Sequence, residues 1–171
     1  MLNVKHYEIC GLVIGGLAIN HYGYSRDTRD LDLFISRDER DAWLKLFAGL
    51  DYTSYQVGGN FIQFNAPAKT AWPVDLMLVP EQTFAQIFTA SQEGDFFSVA
   101  VRVPSLEHLL SPNLHALKHT RARRFLKDFL DVGNLIRING LDVNSPAIRE
   151  LFAKYGTADL YEKISRSLAG G

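Results

Sequence analysis

The sequence predicts an α/β (α+β) fold: a mixed central sheet with flanking helices and a C-terminal helical part. Two observations carry this. Short apolar runs bounded by glycine, proline and polar turns dominate the first two thirds of the chain, whereas helical periodicity dominates the last third. The length of 171 residues fits one compact domain with its own core. We expect a sheet core over 1–104 and a helical part over 105–171 packed on it.

Ile9–Ile14 is a buried strand ending in Gly15-Gly16, and Leu17–Tyr22 forms a short helix before the polar loop Gly23–Arg29. Leu31–Ile35 is the second strand. Asp38–Leu50 is helical, with Trp43, Leu44, Phe47 and Leu50 on one stripe. Tyr52–Val57 and Phe61–Phe64 flank Gly58-Gly59-Asn60, a hairpin signal. Val74–Val79 is a strand stopped by Pro80. Glu81–Ala90 is helix, and Phe96–Val103 a further strand. Ser105 caps a helix over Leu106–Leu110. Ser111-Pro112 then reads as a cap plus a first-turn proline, so a new helix starts there and runs to about Arg121. Helices follow over Arg124–Ile138, ending near Asn139-Gly140, then Pro146–Lys154 and Thr157–Leu168.

Composition narrows the function class. Hydrophobic residues make up 47% and charged residues 22%, with a net charge of −1. That balance argues against disorder, and any nucleic-acid contact must come from a local patch. The single Cys10 excludes an internal disulfide and a cysteine zinc site. It reads as a buried small hydrophobe and suits a reducing cytoplasm. The longest apolar run, Ile9–Ile19, is shorter than the roughly 20 residues a membrane helix needs. It has no basic leader or cleavage site, so no signal peptide is expected.

The chemistry is concentrated in Gly15–Asp32. Asp30 and Asp32 flank Leu31 at the start of an apolar strand, where i and i+2 share a face. Their Cα atoms fall about 6.6 Å apart. Two such charges repel by about 2.5 kcal/mol at an effective dielectric near 20. A divalent cation between them removes that repulsion, and hard carboxylate oxygens suit Mg2+. Pairing with Arg26 or Arg29 at a solvated strand start is the plainer alternative. Gly15-Gly16, closing a strand and opening a helix, leaves backbone N–H groups accessible to phosphate. Neither a dinucleotide Gly-x-Gly-x-x-Gly nor a Walker Gly-Lys-Ser/Thr is present. Asp75, in Val74-Asp75-Leu76, is a third carboxylate on an otherwise apolar strand; an exposed strand entrance is its alternative reading.

The pattern Gly-Gly-x-Ala-x4-Gly-x2-Arg-x-Thr-x-Asp-Leu-Asp, filled by Gly15, Gly16, Gly23, Arg26, Thr28, Asp30 and Asp32, resembles the signature of the nucleotidyltransferase superfamily with the DNA polymerase beta-like fold. The chain is similar to the small standalone abortive-infection type toxin nucleotidyltransferases. Val74-Asp75-Leu76 resembles the family's third-carboxylate strand. Leu117-Lys118 resembles its helical lysine motif, and the run from Arg123 to Asp131 its Lys-Asp-x-x-Asp motif, so the likeness covers about residues 9–137. Where many members carry Gly-Ser, this chain has Gly15-Gly16, which resembles small antibiotic-modifying relatives.

The resemblance implies an Mg2+-dependent enzyme moving a nucleoside monophosphate from a nucleoside triphosphate to an acceptor hydroxyl, with pyrophosphate leaving. Asp30, Asp32 and Asp75 are then the catalytic and metal residues. Gly15, Gly16, Arg26, Thr28, Lys118 and Asp128 bind the nucleotide, and the chemistry uses two metals about 3.5–4 Å apart. Lys118, Arg121, Arg123 and Arg124 form a basic stretch that attracts an RNA acceptor. Simple i,i+4 pairing of Arg124 with Asp128 and Lys127 with Asp131 is the alternative for that stretch. A small-molecule antibiotic acceptor is a rival reading, as is a non-catalytic module paired with an antitoxin-type protein partner. His21, His108 and His115 lie at no metal-binding spacing. Tyr22 and Tyr24 favour loop or core packing over base stacking.

Overall fold

The computed structural model describes residues 9–119 and 122–170, without the side chains of 122–124. The chain forms two compact units. One takes the chain up to Ala18 together with Arg26–Ser105; the other takes Ile19–Ser25 and the chain from Leu106 onward.

The first unit is built on a mixed five-stranded sheet. Strand β1 (Gly11–Ile14) leads directly into helix α1 (Gly15–His21), and β2 (Leu31–Ser36) returns antiparallel to β1. A turn of 3-10 helix at Arg37–Glu39 and helix α2 (Arg40–Gly49) follow, then the antiparallel pair β3 (Thr53–Val57) and β4 (Phe61–Asn65). Strand β5 (Val74–Val79) inserts between β2 and β4, parallel to the former and antiparallel to the latter, giving the order β1-β2-β5-β4-β3. Strands β1 and β2 read as near-continuous apolar runs because β1 and the last four residues of β2 are buried on both faces, whereas β4 and β5 bury one face, through Ile62, Phe64, Val74, Leu76 and Leu78. Helix α2 buries Trp43, Leu46 and Phe47. The Phe47 ring meets Phe64 at 4.9 Å and Tyr52 at 5.2 Å, within the range of favourable aromatic pairs. Gly11 lacks the Cβ that would press within 3.1 Å of the Trp43 ring, so the helix docks closely on β1. Helix α3 (Glu81–Thr89) buries Phe84 and Ile87. Cys10 is half-buried rather than buried; burial pushes its thiol up from the ordinary value, and the Glu39 carboxylate adds to the rise.

The expected single strand over Phe96–Val103 is instead a hairpin, β6 (Gln92–Phe96) and β7 (Val99–Val103), forming a sheet of its own. Its turn is Phe97-Ser98, with φ of 55° and 65°. Two successive left-handed residues match the twist of a hairpin. No glycine or asparagine marks the site, so the reversal has no local sequence signal.

The second unit contains α4 (Leu106–His119), α5 (Ala122–Ile138), α6 (Pro146–Tyr155) and α7 (Ala158–Ala169). The break expected at Ser111-Pro112 does not occur: α4 runs through Pro112. The Ser111 hydroxyl donates to the Glu107 carbonyl (3.0 Å) and the Asn113 amide to the Leu109 carbonyl (2.9 Å), bonds that bracket the disturbed turn. Leu109, Leu110, Leu114 and Leu117 form one buried stripe across it, and that packing outweighs the roughly 3 kcal/mol cost of an interior proline. Gly140 closes α5 at φ 62°. Ser145 and Thr157 accept the Ile148 and Leu160 N–H groups and cap α6 and α7. The segment Ile19–Ser25 belongs here; Asn139 donates to the Tyr22 carbonyl at 3.1 Å. Among the described residues, no helix is long and apolar enough to cross a membrane.

Candidate active site

Strand register assembles the site. Ile14 pairs with Asp32, Asp32 with Asp75, and Asp75 with Gln63. Paired residues share a face, so these four form one row across β1, β2, β5 and β4. Neighbouring strands lie about 4.8 Å apart. At that spacing two carboxylates repel by about 3 kcal/mol at an effective dielectric near 20, before any compensation. The fold thus concentrates negative charge at one end of the sheet, on half-buried side chains.

Asp30 is held differently. The ladder of β2 begins at Leu31, whose N–H donates to the Pro73 carbonyl at 3.0 Å, so Asp30 sits in a bend just before the strand and not on it. Its orientation comes from Thr28, whose hydroxyl donates to Asp30 Oδ1 at 2.7 Å. The expected i,i+2 sharing of a pleated face therefore does not apply to Asp30 and Asp32.

Both glycines are required by these same side chains. Gly15 has φ +61°, and a Cβ there would overlap the Asp32 carboxylate. A Cβ on Gly16 would lie 2.5 Å from the Thr28 hydroxyl oxygen. The Gly15-Gly16 backbone thus lies against Asp32 and Thr28, and the two halves of the sequence motif are one physical object. Arg26 is half-buried in the preceding loop.

Gln63 is the residue that the sequence did not single out. Its Nε2 donates to Asp75 Oδ2 at 2.8 Å. The contact is between strands, so only the pairing of β4 with β5 reveals it. Among the described residues, no group of three His, Cys, Asp or Glu side chains is gathered so as to hold a metal by itself. The donor set nevertheless suits a hard cation that completes its coordination with phosphate oxygens and water.

The other face of the same sheet end is apolar. Val13, Leu31 and Val74 point there by strand alternation. With Tyr52, Trp72 and Phe97 they line a cavity of about 220 Å3. Trp72 meets Phe97 edge-on at 5.7 Å, and the Tyr52 hydroxyl donates to the Trp72 carbonyl at 3.0 Å. The cavity is therefore not over the carboxylates.

Lys118 and Asp128 lie in the helical unit, Lys118 exposed on α4 and Asp128 buried on α5. Asp131, one turn further, is buried as well, whereas Lys127 is exposed. Arg121 lies outside the described residues, as do the side chains of Arg123 and Arg124. The His115 and His119 rings meet at a tilt along α4 at 4.7 Å, and Tyr22 meets His21 edge-on at 5.2 Å.

The family described as "Nucleotidyl transferase AbiEii toxin, Type IV TA system" matches residues 6–169. No curated protein matches. Among solved structures, an antigenic nucleotidyltransferase-like protein from Paracoccidioides brasiliensis is 17% identical, with a TM-score of 0.57 over 98% of this chain and 87% of its own. The antibiotic-resistance factor ANT(2'')-Ia is 12% identical, with a TM-score of 0.57 over 97% and 85%. The lincosamide antibiotic adenylyltransferase LnuA, solved with lincomycin, is 13% identical, with a TM-score of 0.55 over 78% and 90%. At these identities the likeness is one of fold.

Proposed function

The chain belongs to the AbiEii nucleotidyl transferase toxin family and is a nucleotidyltransferase, and from that premise we propose that it uses Mg2+ to move a nucleoside monophosphate from a nucleoside triphosphate to a hydroxyl of RNA. The observation that carries this reading is the interlock of Gly15-Gly16 with Asp32 and Thr28, beside the in-register Asp75. It brings the glycine-pair backbone and the paired carboxylates to one end of one sheet.

Asp30, Asp32 and Asp75 hold the metal, for which hard oxygen donors are the right chemistry. Bound there, Mg2+ would supply positive charge to offset that of the triphosphate. The Gly15 and Gly16 backbone receives phosphate oxygens, and Arg26 and Thr28 line the same loop. The family resemblance assigns Lys118 and Asp128 to the nucleotide as well. Asp75 takes the proton of the acceptor hydroxyl as its oxygen bonds to the α-phosphorus. The bond to the bridging oxygen breaks in line, and pyrophosphate carries away that electron pair. Lys118, Arg121, Arg123 and Arg124 draw RNA phosphates toward the site. A cytoplasmic location and an antitoxin-type protein partner complete the reading. An antibiotic acceptor calls for an apolar or acidic pocket over the carboxylates, and the apolar cavity beside Val74 lies on the opposite face.

The test is incubation with each α-labelled nucleoside triphosphate, Mg2+ and total cellular RNA or protein. Label is expected in RNA, and only with Mg2+. Label confined to protein, or none in either, overturns the RNA reading.

A further inference from the structure

We propose that Gln63 is a positioning residue for transfer, acting only through Asp75; this rests on the reading of Asp75 as the group that takes the acceptor proton. Gln63 and Asp75 are register partners on β4 and β5, and the Gln63 Nε2 donates to Asp75 Oδ2 at 2.8 Å. An ionised carboxylate only accepts, so the amide must present its nitrogen. One oxygen of Asp75 is thereby fixed, and the other, Oδ1, is left to meet the acceptor hydroxyl or a metal.

Three features make this more than a surface contact. Both side chains are half-buried, so the bond is shielded from full competition by water. The donor is neutral, so it orients the carboxylate without cancelling the charge that the chemistry needs; a lysine or arginine there would do both. The strands on either side of the pair are themselves anchored. Ile62 and Phe64, flanking Gln63, are buried, as are Val74 and Leu76 flanking Asp75. Their packing fixes the backbone from which the two polar side chains project. A carboxyl rotor held this way starts near its reactive orientation, and misplacement by about 1 Å can cost a hundredfold in rate. Thr28 does the same for Asp30 from the other side of the site.

The test combines a double-mutant cycle with a readout that needs no turnover. Gln63→Leu and the shorter Gln63→Asn are each expected to lower the single-turnover rate of label transfer to total cellular RNA about tenfold, the scale of one hydrogen bond to a charged group. Mg2+-dependent triphosphate binding and the unfolding midpoint should stay near wild type. In an Asp75→Asn background Gln63→Leu should cost nothing further. A full additional tenfold loss there overturns the inference, because the amide would then act by another route.

Separately, the Gln63 side-chain amide in a 1H–15N spectrum should be displaced from exposed-glutamine positions and should return to them in Asp75→Ala. An amide already at exposed positions in the wild type overturns the inference whatever the activity. If Asp75→Asn itself transfers normally, the role given to Asp75 fails. If Asp75→Asn is slow while both Gln63 variants transfer at the wild-type rate, Gln63 alone is wrong.

Discussion

Val74 and Asp75 are neighbours on one strand and belong to different parts of the molecule. Val74 points into an apolar cavity with Leu31 and Trp72, whereas Asp75 points to the opposite face, beside Asp32 and Gln63. The strand's period of two separates packing from chemistry by a single residue. The packing face is built from side chains that bury one another. The chemical face is built from side chains that repel and must be held, Asp30 by Thr28 and Asp75 by Gln63. Substitutions on the first should therefore move stability, and those on the second should move turnover.

The largest expected effect is on the chemical face. Asp30→Asn and Asp32→Asn remove charge at nearly constant volume, and should weaken Mg2+-dependent triphosphate binding in a calorimetric titration. Asp75→Asn should leave most of that binding intact and lower single-turnover transfer by at least about a hundredfold. None of the three should lower the unfolding midpoint much, since relieving like-charge repulsion offsets lost contacts. An Asp75→Asn protein that transfers normally would break the division of labour between the faces.

Next is Val74→Ala, one residue away. Losing two buried methyl groups and enlarging the cavity should destabilise by about 2 kcal/mol. Denaturant unfolding reads this directly. Transfer at a temperature where the variant is folded should stay within about twofold of wild type, because no atom on the chemical face is changed.

Thr28→Val tests the finer structure of the chemical face. It keeps the shape that packs on Gly16 and removes the donor to Asp30. A hydrogen bond to a charged group is worth about 1.5 kcal/mol, so transfer should fall roughly tenfold. An unchanged rate would mean that the bend before β2 positions Asp30 unaided.

What the sequence disclosed follows the range of the interactions. Strands β1, β2 and β5 are dense apolar runs, and Gly58-Gly59-Asn60 is a local turn signal, so their positions are legible from nearby residues. The glycine pair and the two downstream aspartates were legible as a motif. Why they go together was not, because it depends on the Gly15 backbone meeting Asp32 across β1 and β2. Gln63 was illegible for the same reason, since no local pattern announces a partner on the next strand. Strand β6, with Gly94 and Asp95 in its middle, has poor intrinsic preference and exists because β7 pairs with it. Pro112 misled in the opposite direction: a local stop signal yielded to a buried leucine stripe. Lys118 and Asp128 lie in the helical unit and were legible through the resemblance alone, whereas strand register brings Asp32 and Asp75 side by side.

The smallest effect belongs to the packing face, at the turn that carries Phe97 to the cavity. Phe97 and Ser98 both sit at positive φ, where side chains with a Cβ are strained. Ser98→Gly removes that strain at the second position. The Asp95 carboxylate accepts from the Ser98 backbone N–H at 3.1 Å, a bond that glycine keeps. Glycine's freer unfolded chain offsets part of the gain, so a net stabilisation of about 0.5–1 kcal/mol is expected. Phe97 is untouched and continues to meet Trp72. Transfer should be unchanged, since the turn acts on the face away from Asp75. A stabilised Ser98→Gly protein with a clearly altered transfer rate would show the two faces to be coupled through the sheet. Separation by strand alternation would then be a description of side-chain direction and not of function.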